Sequence, residues 1–283
     1  MEHRTIKAYK WVFIWIGLAG LCNLAVWYFM GTEKALQFLA GYLIEFSLSM
    51  DNLFVFLTIF MSFGIAEHAQ HRVLGWGIIG AIILRLIFIM LGVQIVSRFE
   101  WVLYLFGVLL IINGIKMFRK TEKVEDPHDS PIIKTVSRVL PVSPDFEGEK
   151  FFTKIDGKKM VTPLFAILIL VECSDIIFAI DSVPAVFSVS TDPLIVYLSN
   201  IFAILGLRQL YFVLEHLHTR FSYVKYGVAT ILTFTGIKLG IGVFGWHIAI
   251  VPSILFIFVV LTLSIVISIV LSGRKSEKGS LRK

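Results

Sequence analysis

The chain has 283 residues, of which 57% are hydrophobic and only 16% charged, with 25 Phe; soluble domains carry about 25% charged residues, so a water-soluble enzyme is excluded and no enzymatic activity is expected. The net charge is +6, but the basic residues fall in loops between apolar blocks and not on one aromatic-lined face, which argues against nucleic-acid binding. Cys22 and Cys173 lie inside apolar blocks and make neither a disulfide framework nor a thiolate metal site.

The apolar residues come in blocks of about 20, the length that crosses about 30 Å of hydrocarbon. The first block, 11–30, follows MEHRTIKAYK. A signal peptide is the alternative there, but the block is long and lacks a small-x-small cleavage pattern, which favours a retained helix. Further blocks follow at 36–62, 73–96, 101–118, 162–187, 194–214, 223–243 and 248–271. The expected fold class is all-α, a polytopic membrane protein of eight transmembrane helices. The expected organisation is 1–35 for the N-terminal tail and first span, 36–118 for a first three-helix repeat, 119–160 for a loop, 161–243 for a second three-helix repeat, and 244–283 for the last span and a basic tail.

With the N-terminus inside, 20 basic residues fall on the inner side and two, Lys34 and Arg98, on the outer side. Lys and Arg concentrate on the cytoplasmic side of membrane proteins, so both termini are expected in the cytoplasm, with the chain in the cytoplasmic membrane. The long loop contains Pro127, Pro131, Pro141 and Pro144. Within it, FFTKI-DG-KKMV places Asp156-Gly157 between two short β-like runs, a hairpin signal. The tail GRKSEKGSLRK reads as solvated, within reach of anionic lipid. Histidines at 68, 71, 216 and 218 read as solvated residues of the inner side.

Two halves of the chain match. Glu45-FSLSM-Asp51-Asn52 sets beside Asp175-IIFAI-Asp181-Ser182. The next span of each half has one arginine, Arg85 and Arg208, and the third has the tripeptide Gly114-Ile115-Lys116 or Gly236-Ile237-Lys238. Three spans per half make the second copy upside down relative to the first. An inverted 3+3 repeat of spans 2–4 and 5–7, with polar groups at mid-membrane, is the build of secondary transporters.

The intramembrane charges carry the chemistry. Glu45, Asp51, Glu172, Asp175 and Asp181 face Arg85, Arg208, Lys116 and Lys238. At about 3 kcal/mol each, nine unpaired charges would cost roughly 27 kcal/mol, so extensive pairing or a bound cation is required. The arginines could serve as bridges between helices or as charge balance for the acids. The lysines are expected near opposite faces, to gate or to snorkel. Glu172 and Asp175 are i,i+3 and share a helix face. Asp175 and Asp181 are about 120° from a common face in a regular helix. They converge only at a break, for which Pro184, unable to bond the carbonyl of Ile180, is the candidate. Ser47 and Ser49 are the weaker candidates for loosening the first copy. With Asn52 and Ser182 the donor set is all oxygen, which suits Mg²⁺, Ca²⁺ or Mn²⁺. A proton relay is the other cation reading.

EFSLSMDNLFVF, LPVSPDFEGEKFF and LVECSDIIFAIDSVPAVFSVSTDPLIVYLSNIFAILGLRQLYFVL together resemble the TerC family, most closely its Alx-like branch, over about 35–245. The resemblance implies a transporter of the LysE-superfamily type with manganese export as its activity, and it is the source of the preference for Mn²⁺ as transported substrate, with no other cofactor. The family's acidic motifs fall on Glu45, Asp51, Asn52, Glu172, Asp175, Asp181 and Ser182. The implied partners are a divalent cation, the bilayer and, as coupling ion, protons. Two alternatives stay open: a membrane-protein assembly or insertion factor with a structural charged cluster, and a proton-coupled exporter of small solutes.

Overall fold

The computed structural model describes residues 2–119, 141–143, 147–155, 158–215, 224–246 and 248–280; the side chains of 2–9, 51, 54, 62, 119, 158, 208, 212–215, 269 and 271–280 lie outside that description. Two expected site side chains, those of Asp51 and Arg208, are therefore outside it, although their backbones are helical.

Eight long helices make up nearly all of the described chain: α1 (Glu2–Met30), α2 (Thr32–Ser62), α3 (Glu67–Arg98), α4 (Val102–Arg119), α5 (Pro163–Phe187), α6 (Pro193–Glu215), α7 (Val224–Ile241) and α8 (Ile250–Ser280). Seven are long and apolar enough to cross a membrane. The eighth, α4, is apolar but has 18 residues, about 27 Å at 1.5 Å per residue. The second and third helices begin earlier than the apolar blocks do, at Thr32 and Glu67. His68 and His71 consequently sit on the first turns of α3 instead of in a loop; His216 and His218 lie outside the described residues. Helix α8 runs on through the start of the basic tail to Ser280, where a solvated tail was expected.

Local chemistry sets the ends of these helices. One residue, Gly31 with φ 90°, separates α1 from α2, a left-handed turn that favours glycine. Helix α2 stops in a Schellman arrangement: Gly64 has φ 59° and the Ile65 N–H donates to the Phe60 carbonyl at 3.0 Å. Pro163 and Pro193 open α5 and α6, where a missing N–H costs nothing. Asp192 caps α6, its Oδ1 accepting from the N–H groups of Leu194 and Ile195 at 3.1 and 3.4 Å.

The hairpin signal corresponds to two antiparallel strands, β1 (Phe152–Ile155) and β2 (Lys158–Val161), in the register Phe152 opposite Val161 and Ile155 opposite Lys158. The Asp156-Gly157 turn itself is outside the described residues. Phe151 and Phe165 meet edge to face, which seats the hairpin against the start of α5. The Arg72 guanidinium of α3 lies over the Phe151 ring at 5.1 Å.

Helix α2 is the centre of the bundle: 75% of its apolar stretch is buried within the protein, against 17% for α1 and 22% for α8. The main core gathers Ile44 and Phe60 from α2, Leu110 from α4, Ile167 from α5 and Ile231 from α7. Helix α1 packs outside it through Ala19 and Val26, against Phe38, Tyr42 and Ala203. The closest approach is α4 with α7, where Gly107 and Gly236 let the backbones touch: a Cβ on Gly236 would lie 2.6 Å from the Gly107 carbonyl oxygen. Farther along, Gly114 faces Ala229 and Thr233. The offset that relates Gly114 to Gly236 also relates Gly107 to Ala229, so these two contacts exchange when the halves are exchanged. Helix α2 against α6 and α3 against α5 form a second exchanging pair.

Candidate functional site

The polar centre lies where α2, α3, α5 and α6 meet. Glu45 of α2 is fully buried, at 0% exposure. Its Oε1 accepts from Ser49 Oγ at 2.7 Å, and its Oε2 lies 2.7 Å from Arg85 Nη1 of α3. The same Nη1 donates to Ser182 Oγ of α5 and to Asn200 Oδ1 of α6, each at 2.7 Å. Nη1 carries two hydrogens, and Ser182 and Asn200 engage both. Glu45 Oε2 is thus held by charge without an aligned hydrogen, which agrees with its lack of a hydrogen-bond partner. Asn200 is oriented in turn by Nδ2 donating to the Val196 carbonyl at 3.0 Å. One guanidinium therefore ties together four helices from both halves of the chain.

Beside this junction is a cavity of about 50 Å³ lined by Ser49, Asn52, Gly77, Arg85 and Asp175. Asp175 lies within electrostatic reach of both Arg85 and Glu45. Asp181, two turns farther along α5, faces elsewhere: its Oδ1 accepts from Asn113 Nδ2 of α4 at 2.5 Å. It lines an open cleft of about 320 Å³ with Asn52, Ser182, Lys116 and Lys225. Asn52 is on the wall of both spaces, 6% exposed.

Glu172 takes a third position. Its carboxylate fills a notch at Gly77 and Gly80 of α3, where a Cβ on Gly80 would collide with Oε1. Its Oε2 is buried without a hydrogen bond. Lys238, near the end of α7, lines a wider cleft of about 780 Å³ with Glu33, Gln37, Glu100 and Tyr104. That cleft is at the opposite end of the bundle from Lys116. At its rim Lys34 Nζ of α2 meets Asp192 Oδ2 at 2.6 Å, and Ser190 Oγ donates to Gln37 Oε1 at 2.8 Å. Burial acts to raise the Asp192 carboxyl, but the hydrogen bonds from Lys34 and from the Ile195 and Leu194 amides outweigh it and hold it below the usual carboxylate range.

The structure thus brings together Glu45, Arg85 and Ser182, with Asn52 and Asp175 beside them, and sets Glu172 and Asp181 apart. Among the described residues, no three His, Cys, Asp or Glu gather as a metal cluster. The expected break at Pro184 does not occur. Helix α5 is continuous from Pro163 to Phe187 with Pro184 inside it, because the proline falls in the last turn, where few downstream N–H groups remain to be lost. Ser47 and Ser49 do not loosen α2 either. Ser47 Oγ donates to the Leu43 carbonyl at 2.6 Å, Ser49 donates to Glu45, and α2 runs unbroken. Asn113 and Asn200 were missed by counting charges. The signal that could have found them was a lone carboxamide inside an apolar span, as in LLIINGIK and YLSNIF.

Eight apolar helices around a buried ionic junction define a multi-pass integral membrane protein. The chain belongs to the integral membrane protein TerC family, whose profile matches residues 30–276. It is 48% identical over 235 residues to an uncharacterised membrane protein of Myxococcus xanthus, covering 83% of this chain and 74% of that one. It is 44% identical over 270 residues to a protein of Escherichia coli K12 named as a proposed membrane-bound redox modulator, Alx, covering 93% and 84%. The protein of that name in Salmonella typhi is 43% identical over 280 residues, covering 96% and 87%. No solved structure shows a significant match.

Proposed function

We propose that this protein is a secondary transporter, not an enzyme, that exports divalent cations, with Mn²⁺ as the substrate. The observation that carries the reading is the arrangement of the acids. Glu45 is held at the dry junction by Arg85, while Asp175 and Asp181 project from one neighbouring helix into two different spaces that share Asn52 as a wall. Buried carboxylates at mid-membrane mark ion pathways, and oxygen donors suit a hard or borderline divalent cation. The preference for Mn²⁺ over Ca²⁺ comes from the family resemblance.

In this reading Glu45, Asp51, Asp175 and Asp181 supply the charge that attracts the cation, with Asn52, Ser182 and Glu172 as neutral or supporting donors. Arg85, and Arg208 in the second half, balance the acids between transport events. Open clefts at both ends of the bundle and the exchanging helix contacts support an inverted repeat whose halves rock about the junction. The distribution of Lys and Arg supports placement in the cytoplasmic membrane with both termini in the cytoplasm. The name of the Alx relatives offers a redox role, which the cysteines do not favour: Cys22 and Cys173 are both free, on α1 and α5.

Mn²⁺ flux in proteoliposomes, with and without a pH gradient, tests the assignment. Wild-type protein is expected to move Mn²⁺ and the Asp51→Asn and Asp181→Asn variants to lose most of that flux. Wild-type flux in both variants would refute it.

A further inference from the structure

Two lysines have no partner that explains their place in the membrane. Lys116 and Lys238 occupy equivalent positions of the two halves, in the tripeptides Gly114-Ile115-Lys116 and Gly236-Ile237-Lys238. Each stands three residues before the end of its helix, Arg119 in α4 and Ile241 in α7. Among the described residues neither ammonium makes an ion pair or hydrogen bond, whereas Lys34 and Arg85 both do. Their helices form the tightest pair in the bundle, with backbones in contact at Gly107 and Gly236. Because that pair is antiparallel, it acts as a stiff bar with one ammonium toward each end.

Each ammonium faces one of the two clefts. Lys116 lines the cleft of about 320 Å³ that leads to Asp181 and Asn52. Lys238 lines the cleft of about 780 Å³ at the other end. A fixed positive charge on the wall of a low-dielectric cleft repels an entering divalent cation far more strongly than it would in water. A cleft built only to concentrate cations would carry acids alone.

We propose that Lys116 and Lys238 are a pair of tethered cations that set the sided affinity of the transporter: each opposes entry of the divalent ion through its own cleft and stands in for that ion near the acids when the cleft is empty. Lys116 governs the cytoplasmic cleft and Lys238 the opposite one. Both are positioning residues; neither is a ligand of the transported ion. The proposal rests on the cation-transport reading above. The bland alternative is that each lysine only complements the partial negative charge at its helix C-terminus, in which case neutralising it alters stability and not sided affinity.

The test uses the full-length protein, oriented in proteoliposomes, with Mn²⁺ as the probe. The apparent KM for Mn²⁺ is measured separately from each side for wild type, Lys116→Met, Lys238→Met and the charge-keeping Lys116→Arg and Lys238→Arg. Lys238→Met is expected to lower the KM from the outer side at least threefold and leave the inner KM unchanged. Lys116→Met is expected to do the reverse, and each Arg variant to stay near wild type. Equal KM values on both sides in all variants, or loss of flux in the Met variants that the Arg variants share, would overturn the proposal. Absence of Mn²⁺ flux in wild type would instead overturn the transport reading beneath it.

Discussion

The Glu45 junction and the Asp181 cleft use the same side-chain chemistry in opposite ways. Glu45 is at 0% exposure, with a guanidinium and a serine on its two oxygens. Asp181 is half-buried, has one carboxamide donor and faces an open cleft. In the repeat, however, Glu45 corresponds to Asp175, while Asp181 corresponds to Asp51. The two acids of each motif are therefore not duplicates of one task. One is locked into the junction between halves, and the other faces an entry path. A buried pair is fragile to loss of one partner, because the survivor stays charged in a low-dielectric site; a carboxylate beside a wet cleft is not.

The largest effect is expected from breaking the junction. Arg85→Ala leaves Glu45, Ser182 and Asn200 without their shared donor and is expected to destabilise the protein by about 3–5 kcal/mol, read as loss of folded material and a lowered Tm in detergent. Next is the bar between the clefts. Gly236→Ala places a Cβ 2.6 Å from the Gly107 carbonyl oxygen, and a backbone atom cannot swing away. A cost of about 1–3 kcal/mol is expected, again by Tm.

Asp181→Asn sharpens the comparison from the other side. It removes a charge that only Asn113 holds, so its Tm is expected to stay within about 1 kcal/mol of wild type while Mn²⁺ flux falls. The smallest effect belongs to the rim. The Asp192 carboxyl is held below its usual range, so the stability it lends is fully present above the ordinary carboxylate pKa and disappears as pH falls through the lowered value. The Lys34–Asp192 pair is partly exposed, so Lys34→Met is expected to cost a few tenths of a kcal/mol at pH 7. The difference from wild type should vanish in melts recorded near pH 3.

How much of this was legible in the sequence follows from which physical rule governed each feature. Helix number and approximate bounds followed from apolar length, because hydrocarbon leaves the backbone no other solution. The hairpin followed from Asp156-Gly157 between alternating runs. Arg85 was visible as a lone charge that had to find an acid, and Glu45 was among the acids named for it. What the sequence could not show was partition. Helical spacing placed Asp175 and Asp181 on different faces, but a break at Pro184 was needed to unite them. That break does not occur, because the proline lies too near the end of α5 to interrupt it. Asn113 and Asn200 escaped because a neutral carboxamide costs too little in an apolar span to stand out, although one holds Asp181 and the other Arg85.

The measurement closest to the central claim is equilibrium Mn²⁺ binding to purified protein, followed by the loss of the free-ion paramagnetic signal. Wild type is expected to show saturable binding, Glu45→Gln and Asp181→Asn to weaken it at least tenfold, and Lys238→Met to retain it. No saturable binding in wild type, or equal binding in both acid variants, would contradict a cation site built on these carboxylates.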